Sequence, residues 1–215
     1  MKKVIFLVLL ANYSIASFAQ IEEKTVNKIY LQIGGGASSH NGSSAGVSIE
    51  AVFKKNWIGG FSYQNLVRDP SNVPSDYQPA RVTVFPFTFD ESPNVETNIY
   101  NLTTGKCFKA GQRTWFSTEA GISYVKSQKV NYTHNNANNG GWNIIIIGEE
   151  PSNYNTTIQN KVAMGGVLKA DFTWAFASVA GLGAGVYTNI NSIQSTVGFE
   201  LKLSIGWMNI KKRHS

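Results

Sequence analysis

A chain of 215 residues, 42% hydrophobic and only 15% charged, has the size of one β-barrel or β-sandwich domain, and its single cysteine, Cys107, excludes an intramolecular disulfide framework. The formal net charge of +6 falls to +4 if Lys2 and Lys3 leave with a cleaved leader, and the basic residues are dispersed except for Lys211, Lys212 and Arg213. That pattern speaks against a nucleic-acid partner, and the terminal trio reads as a solvated end.

The first residues, "MKKVIFLVLLANYSIASFAQ", join two lysines, an apolar run from Val4 to Leu10 and small residues up to Ala19. This is the pattern of a secretory signal peptide, predicted over residues 1–19, with the mature domain at 20–215. The run is far short of the ~20 residues a membrane-spanning helix needs. No cysteine follows the cleavage point, so a lipid anchor there is not expected. No later segment is long and apolar enough for such a helix either, so any insertion in a bilayer must use strands.

Eight strands are predicted from Val26 onward. The first covers about Val26 to Gly35 and the second about Ser44 to Phe53, followed by a tight turn at "KKN". The third runs from Trp57 to about Leu66, and the fourth, after a long irregular stretch, from about Val95 to Phe108. "KAGQ" turns the chain into the fifth, about Arg113 to Tyr132. The sixth covers about Thr157 to Thr173 and the seventh about Ala175 to Thr188. The eighth, "QSTVGFELKLSIGWM", places Val197, Phe199, Leu201, Leu203, Ile205 and Trp207 on one parity and Thr196, Gly198, Glu200, Lys202, Ser204 and Gly206 on the other.

The links after strands two, four and six are short, those after three and five are long, and those after one and seven are rich in Asn, Ser and Gly. An up-and-down barrel has this asymmetry, with tight periplasmic turns and longer outer loops. An even strand count leaves both termini on the tight-turn side. The fold class expected is therefore all-β, a single eight-stranded antiparallel up-and-down transmembrane β-barrel. The segment Val82 to Phe89, within "RVTVFPFTF", is the weak point of the count: as a pair of wall strands it would make ten.

The polar parity carries Glu50, Glu119, Lys161, Lys169, Asp171, Glu200 and Lys202 among many glycines and serines. In a soluble sandwich these would face water. In a closed eight-stranded barrel they would fill the interior, with acids and bases at matching depths because an unpaired buried charge is costly. Strands of about ten residues, long enough to cross a bilayer at a tilt, favour the barrel. So do aromatics clustered at strand ends: Phe53, Trp57, Phe108, Trp115, Phe172, Trp174, Phe176 and Trp207, an expected periplasmic girdle.

Through the leader ending "SFAQ", the strand pair "KCFKAGQRTWFSTEAGISYVKS" and the closing "GFELKLSIGWM", the chain resembles the small outer-membrane β-barrel proteins of Gram-negative bacteria, especially those of Bacteroidota type. The resemblance spans the mature chain and implies a bacterial outer-membrane location. It implies outer-membrane lipid and the barrel-insertion machinery as partners. The last strand is similar to the one such barrels present to that machinery, although the tail "NIKKRHS" follows it.

Some barrels of this size modify lipids, and that resemblance would place a histidine, a serine and a carboxylate near the outer rim. His40, in "SSHNGSS" with Ser39 and Ser43, is the candidate base. His134 lies in an Asn/Gly-rich loop without further metal ligands in the local sequence, and Cys107 has no paired histidine nearby. "GWNIIIIGEE" reads as part of a loop hairpin, or as an exposed apolar patch for a partner. No catalytic, cofactor-binding or metal-binding residue is assigned, no cofactor is expected, and the role predicted is structural or interactive, through loops that bind an extracellular ligand. The alternatives are an esterase or acyltransferase, a narrow pore lined by the interior charges, and a secreted soluble β-protein using the triplets Asn131-Tyr132-Thr133 and Asn155-Thr156-Thr157 for glycosylation.

Overall fold

The computed structural model describes residues 26–39, 41–84, 87–135, 147–150 and 152–208. The predicted signal peptide, its cleavage point, His40, Ile144 to Ile146 of the isoleucine run and the tail after Met208 lie outside the described residues.

The alternating segments form β1 (Val26–Ser38), β2 (Gly42–Phe53), β3 (Trp57–Arg68), β4 (Ala80–Val84), β5 (Phe87–Glu91), β6 (Val95–Lys109), β7 (Thr114–His134), β8 (Ile147–Glu150), β9 (Tyr154–Trp174), β10 (Ala180–Asn191) and β11 (Thr196–Trp207). Eight of them close a barrel in the order β1-β2-β3-β6-β7-β9-β10-β11, each antiparallel to its neighbours. Closure is made by β1 against β11, from Ile29 opposite Trp207 to Ser38 opposite Gly198. Pairing the ends removes the free edges that an open sheet would expose.

The alternation of β11 now has a direction. Leu201 is 62% exposed and its successor Lys202 only 8%. Val197, Phe199, Leu203, Ile205 and Trp207 share the outer face, while Thr196, Glu200 and Ser204 are buried inside. The same inversion holds around the wall, with Ile33, Ile49, Phe61, Leu102, Ile122, Leu168 and Val186 outward. A continuous apolar belt facing water would be strongly unfavourable, at roughly 25 cal/mol per Å² of apolar area. Against acyl chains the same belt costs nothing of that kind.

Short links after β2, β6 and β9 lie at one end, and the links after β1, β3, β7 and β10 at the other. The three-residue link Lys54–Asn56 between β2 and β3 places Lys55 and Asn56 at consecutive φ of 61° and 60°, in the left-handed region that lets so short a connection reverse the chain. The seventh predicted strand begins too early. Residues 175–179 are a turn, in which Ala175 N–H donates to the Arg113 carbonyl and Ala177 N–H to the Ala180 carbonyl. Phe176 therefore sits on that turn beside the Trp174 ring, at 6.1 Å, and not on a strand face.

The uncertain segment from Val82 to Phe89 does not enter the wall. β3 and β6 pair directly from Trp57 opposite Lys106 to Arg68 opposite Val95, which leaves no opening for two more strands. Instead β4 and β5 form a hairpin to which β8 adds on the other side of β4, giving a separate three-stranded sheet. The end of the isoleucine run thus contributes a strand to this outer sheet.

At the same end β7 and β9 outgrow the barrel. β6 leaves β7 at Ser127 and β10 leaves β9 at Gly165, but β7 and β9 continue for seven more pairs, from Gln128 opposite Asn160 to His134 opposite Tyr154. At about 3.3 Å per residue the hairpin stands roughly 20 Å beyond the wall. Lys161, expected inside, pairs with Ser127 at the foot of this extension, beyond the last β9 residue paired with β10, and is exposed.

Candidate functional site

The interior is layered, and the inward positions of β3 run through every layer: Ile58, Gly60, Ser62, Gln64, Leu66, Arg68. The alternation repeats every two residues, so each step moves about 7 Å along the strand. Near the tight turns the lumen is filled by Tyr30, Val52, Ile58, Cys107, Trp115, Ala175 and Met208. Trp115 was expected in the outer girdle. Its odd parity on β7 instead turns it inward, 2% exposed, 5.9 Å from the Tyr30 ring and beneath the Lys28 ammonium, which lies 3.3 Å from its centroid.

One step further along the strands is the charged layer. Lys169 Nζ lies 3.0 Å from Glu50, 3.8 Å from Glu119 and 3.9 Å from Asp171. Lys202 Nζ donates to Asp171 at 2.5 Å and lies 3.8 Å from Glu200. Uncharged side chains complete the set. Gln64 donates to Glu200, Thr103 to Glu119 at 2.6 Å, Ser48 to Gln32, and Gln32 to Ser204. Oxygens of Glu50, Glu119 and Asp171 come within 4.8 Å of one another, a spacing at which three carboxylates present ligands to a cation. The Lys169 ammonium stands among them, so the protein supplies its own cation. The cavity left in this layer is about 30 Å³, room for ordered water rather than for a ligand.

Above it Leu66, Ile99, Val125 and Tyr187 form a second apolar layer. Gly198 is required here, because a Cβ at that position would collide with the Tyr187 ring. Packed side chains therefore cap the charges on both sides.

Cys107 sits in the lower layer, whereas His134 is on the outer hairpin, its ring 5.1 Å from Tyr154. Along β7 the partner of Cys107, Ser117, and His134 are separated by on the order of 50 Å, so thiol and imidazole are not brought together. Ser43 faces outward, and Ser39 Oγ accepts a hydrogen bond from Val197 N–H.

Outside the wall, the loop from Asp69 to Pro79 docks on the tall hairpin. Asn72 donates to the Val130 carbonyl, Asn153 donates to the Asp76 carbonyl, and Gln78 N–H donates to Asn153. The rings of Tyr77, Tyr132 and Tyr154 meet at 5.1 to 6.2 Å. Tyr154 donates its hydroxyl proton to Asp76 at 2.9 Å, and that hydrogen bond raises its pKa above the usual tyrosine value.

No family model and no curated protein matches this sequence. Solved structures do. The N-terminal β-barrel domain of Pseudomonas aeruginosa OprF aligns over 86% of this chain and 100% of its own, with a TM-score of 0.52 at 11% identity. Neisserial surface protein A aligns over 83% of this chain and 97% of its own, with a TM-score of 0.52 at 10% identity. This is the barrel fold of small outer-membrane proteins. Ail, the attachment invasion locus protein of Yersinia pestis, covers 85% of this chain and 97% of its own at 8% identity and a TM-score of 0.47.

The uncharged interior partners and the two apolar caps were not singled out in the sequence. Gln32, Gln64 and Thr103 lie on the parity of their strands opposite the outward apolar residues, as Tyr30 does on β1, and Trp115 shares the parity of Glu119 on β7. That parity was the available signal.

Proposed function

We propose that this chain is a bacterial outer-membrane barrel of Bacteroidota type that acts as a surface-interaction protein through the tall β7–β9 hairpin and the sheet beside it. The observation that carries the reading is the division of labour along the barrel axis. The lumen is packed, while the structured surface is concentrated at the long-loop end. The apolar belt is the surface that meets outer-membrane lipid, and β11 is the strand offered to the insertion machinery.

Between Tyr154 and Met164 the side of β9 turned away from β7 carries no ladder partner among the described strands. An open edge offers backbone donors and acceptors to an extended segment of another protein. A photo-crosslinking amino acid placed at Thr157 in living cells, with Lys109 on the tight-turn side as control, tests this. Protein adducts formed by extracellular partners from position 157 and not from 109 are expected. Absence of adducts at 157 would contradict the proposal. The lipid-modifying alternative rests on His40, which lies outside the described residues, and the packed lumen argues against the pore.

A further inference from the structure

At the long-loop mouth of the barrel, above the cap formed by Leu66, Ile99 and Val125, the last inward residue of β3 is Arg68. Its Nη1 is buried and has no hydrogen-bond partner, and the same is true of Ser38 Oγ at the end of β1. Among the described residues no carboxylate lies within ion-pair distance of Arg68, and the charged layer is on the far side of the apolar cap. The adjacent acids, Asp69 and Glu96, are exposed.

Several other polar side chains lining this mouth are paired. Thr97 and Ser127 pair at 2.7 Å, and Asn191 closes the β10–β11 turn through Asn189, Gln194 and Ile193. Gly42 supplies the remaining space: a Cβ there would fall on Ser38 Oγ and within 3.2 Å of Arg68 Cβ. What remains is a cationic donor and a hydroxyl donor facing a cavity of about 10 Å³, the size of a single oxygen atom or water. A buried donor without an acceptor is destabilising, and more so when it is charged. A guanidinium next to a hydroxyl meets that cost best with an oxyanion, whose oxygen accepts from both.

We propose that Arg68 and Ser38 form an oxyanion-binding site at the outer mouth of the barrel, taking one oxygen of a phosphate group whose remainder projects outward. The site is independent of whatever meets the β9 edge. The phosphate is either a free ion or a group carried on outer-leaflet glycolipid, and the two sources differ in whether a bilayer is needed.

The test is a titration of the folded protein with inorganic phosphate at constant ionic strength in a non-ionic detergent, following by NMR the backbone amides of residues 38, 42 and 68, which every variant retains, together with the Arg68 guanidinium signal where it is present. A parallel arm uses nanodiscs containing lipid A with or without its phosphates. Saturable perturbation of Arg68 and Ser38, weakened at least tenfold in Arg68→Gln and several-fold in Ser38→Ala, is the expected result. Free phosphate acting in detergent identifies the ion as sufficient. A shift seen only with phosphorylated lipid A identifies the lipid-borne group. No saturable shift in either arm, or a response unchanged in Arg68→Gln, would overturn the site and leave a water as its occupant. If Arg68→Gln does not give the folded, heat-modifiable form, Ser38→Ala and Gly42→Ala decide the matter: both keep the guanidinium, the first removes the hydroxyl donor and the second crowds it, and phosphate binding unchanged in both would overturn the site.

Discussion

Lys169 is the residue on which most of the interior depends. Four carboxylates, Glu50, Glu119, Asp171 and Glu200, share two ammonium groups, and Lys169 reaches three of the four. Removing one partner of a buried charge set leaves uncompensated charge, which typically costs 3–5 kcal/mol. Lys169→Met should therefore lower the free energy of unfolding by about that amount in urea titrations from lipid vesicles. Removing an acid has the opposite sign of consequence, since acids are in excess. Glu119→Gln keeps an acceptor for the Thr103 hydroxyl and should change stability by less than about 1 kcal/mol, or raise it. Equal losses for the two variants would refute an excess of acids in the lumen. The pairing was legible only in part. Alternation placed the charges on one face, but Lys161 has the same parity as Lys169 and stands exposed at the rim, where β10 no longer covers β9, because parity records which face a residue is on and not its height.

At the scale of elements, strand existence was readable because each wall strand alternates over ten residues or more. Strand ends were less so: the start of β10 depends on the turn at 175–179, which is held by bonds to Arg113 and Ala180 that leave no periodic trace. The fate of the Val82 to Phe89 segment was likewise invisible, since its place is set by the uninterrupted ladder of β3 on β6. The Lys55-Asn56 turn carries non-glycine residues in the left-handed region, at roughly 1 kcal/mol each. Replacing the pair by Asn-Gly is expected to stabilise the barrel by about 1 kcal/mol, read as a raised urea midpoint. Outside the wall, Asn153 holds the 69–79 loop through Gln78 and Asp76. Asn153→Ala should speed tryptic cleavage after Arg81 while the heat-modifiable barrel band persists. An unchanged cleavage rate would mean that the loop is held by other contacts.

For the whole molecule, fold and membrane exposure follow from one fact: the same alternation serves a filled polar lumen and an apolar exterior. Alternation alone does not say which face is inside, because a soluble sandwich uses the same pattern turned the other way; strand length and the asymmetry of short turns and long loops were what favoured the barrel. Ring closure decides it, by placing Glu50, Asp171 and Lys202 within and Leu201 and Ile49 without. The apolar layers at both ends of the charges carry a second consequence. Folded protein in planar bilayers should show no steady conductance, and ohmic single-channel steps would show that the caps do not seal. The orientation of the belt is tested most directly by refolding from urea with and without detergent micelles and comparing the electrophoretic mobility of unheated and heated samples. The expected result is a compact, heat-modifiable band that forms only when micelles are present. A folded monomer in detergent-free buffer would contradict the account, since the apolar face would then have to be a core.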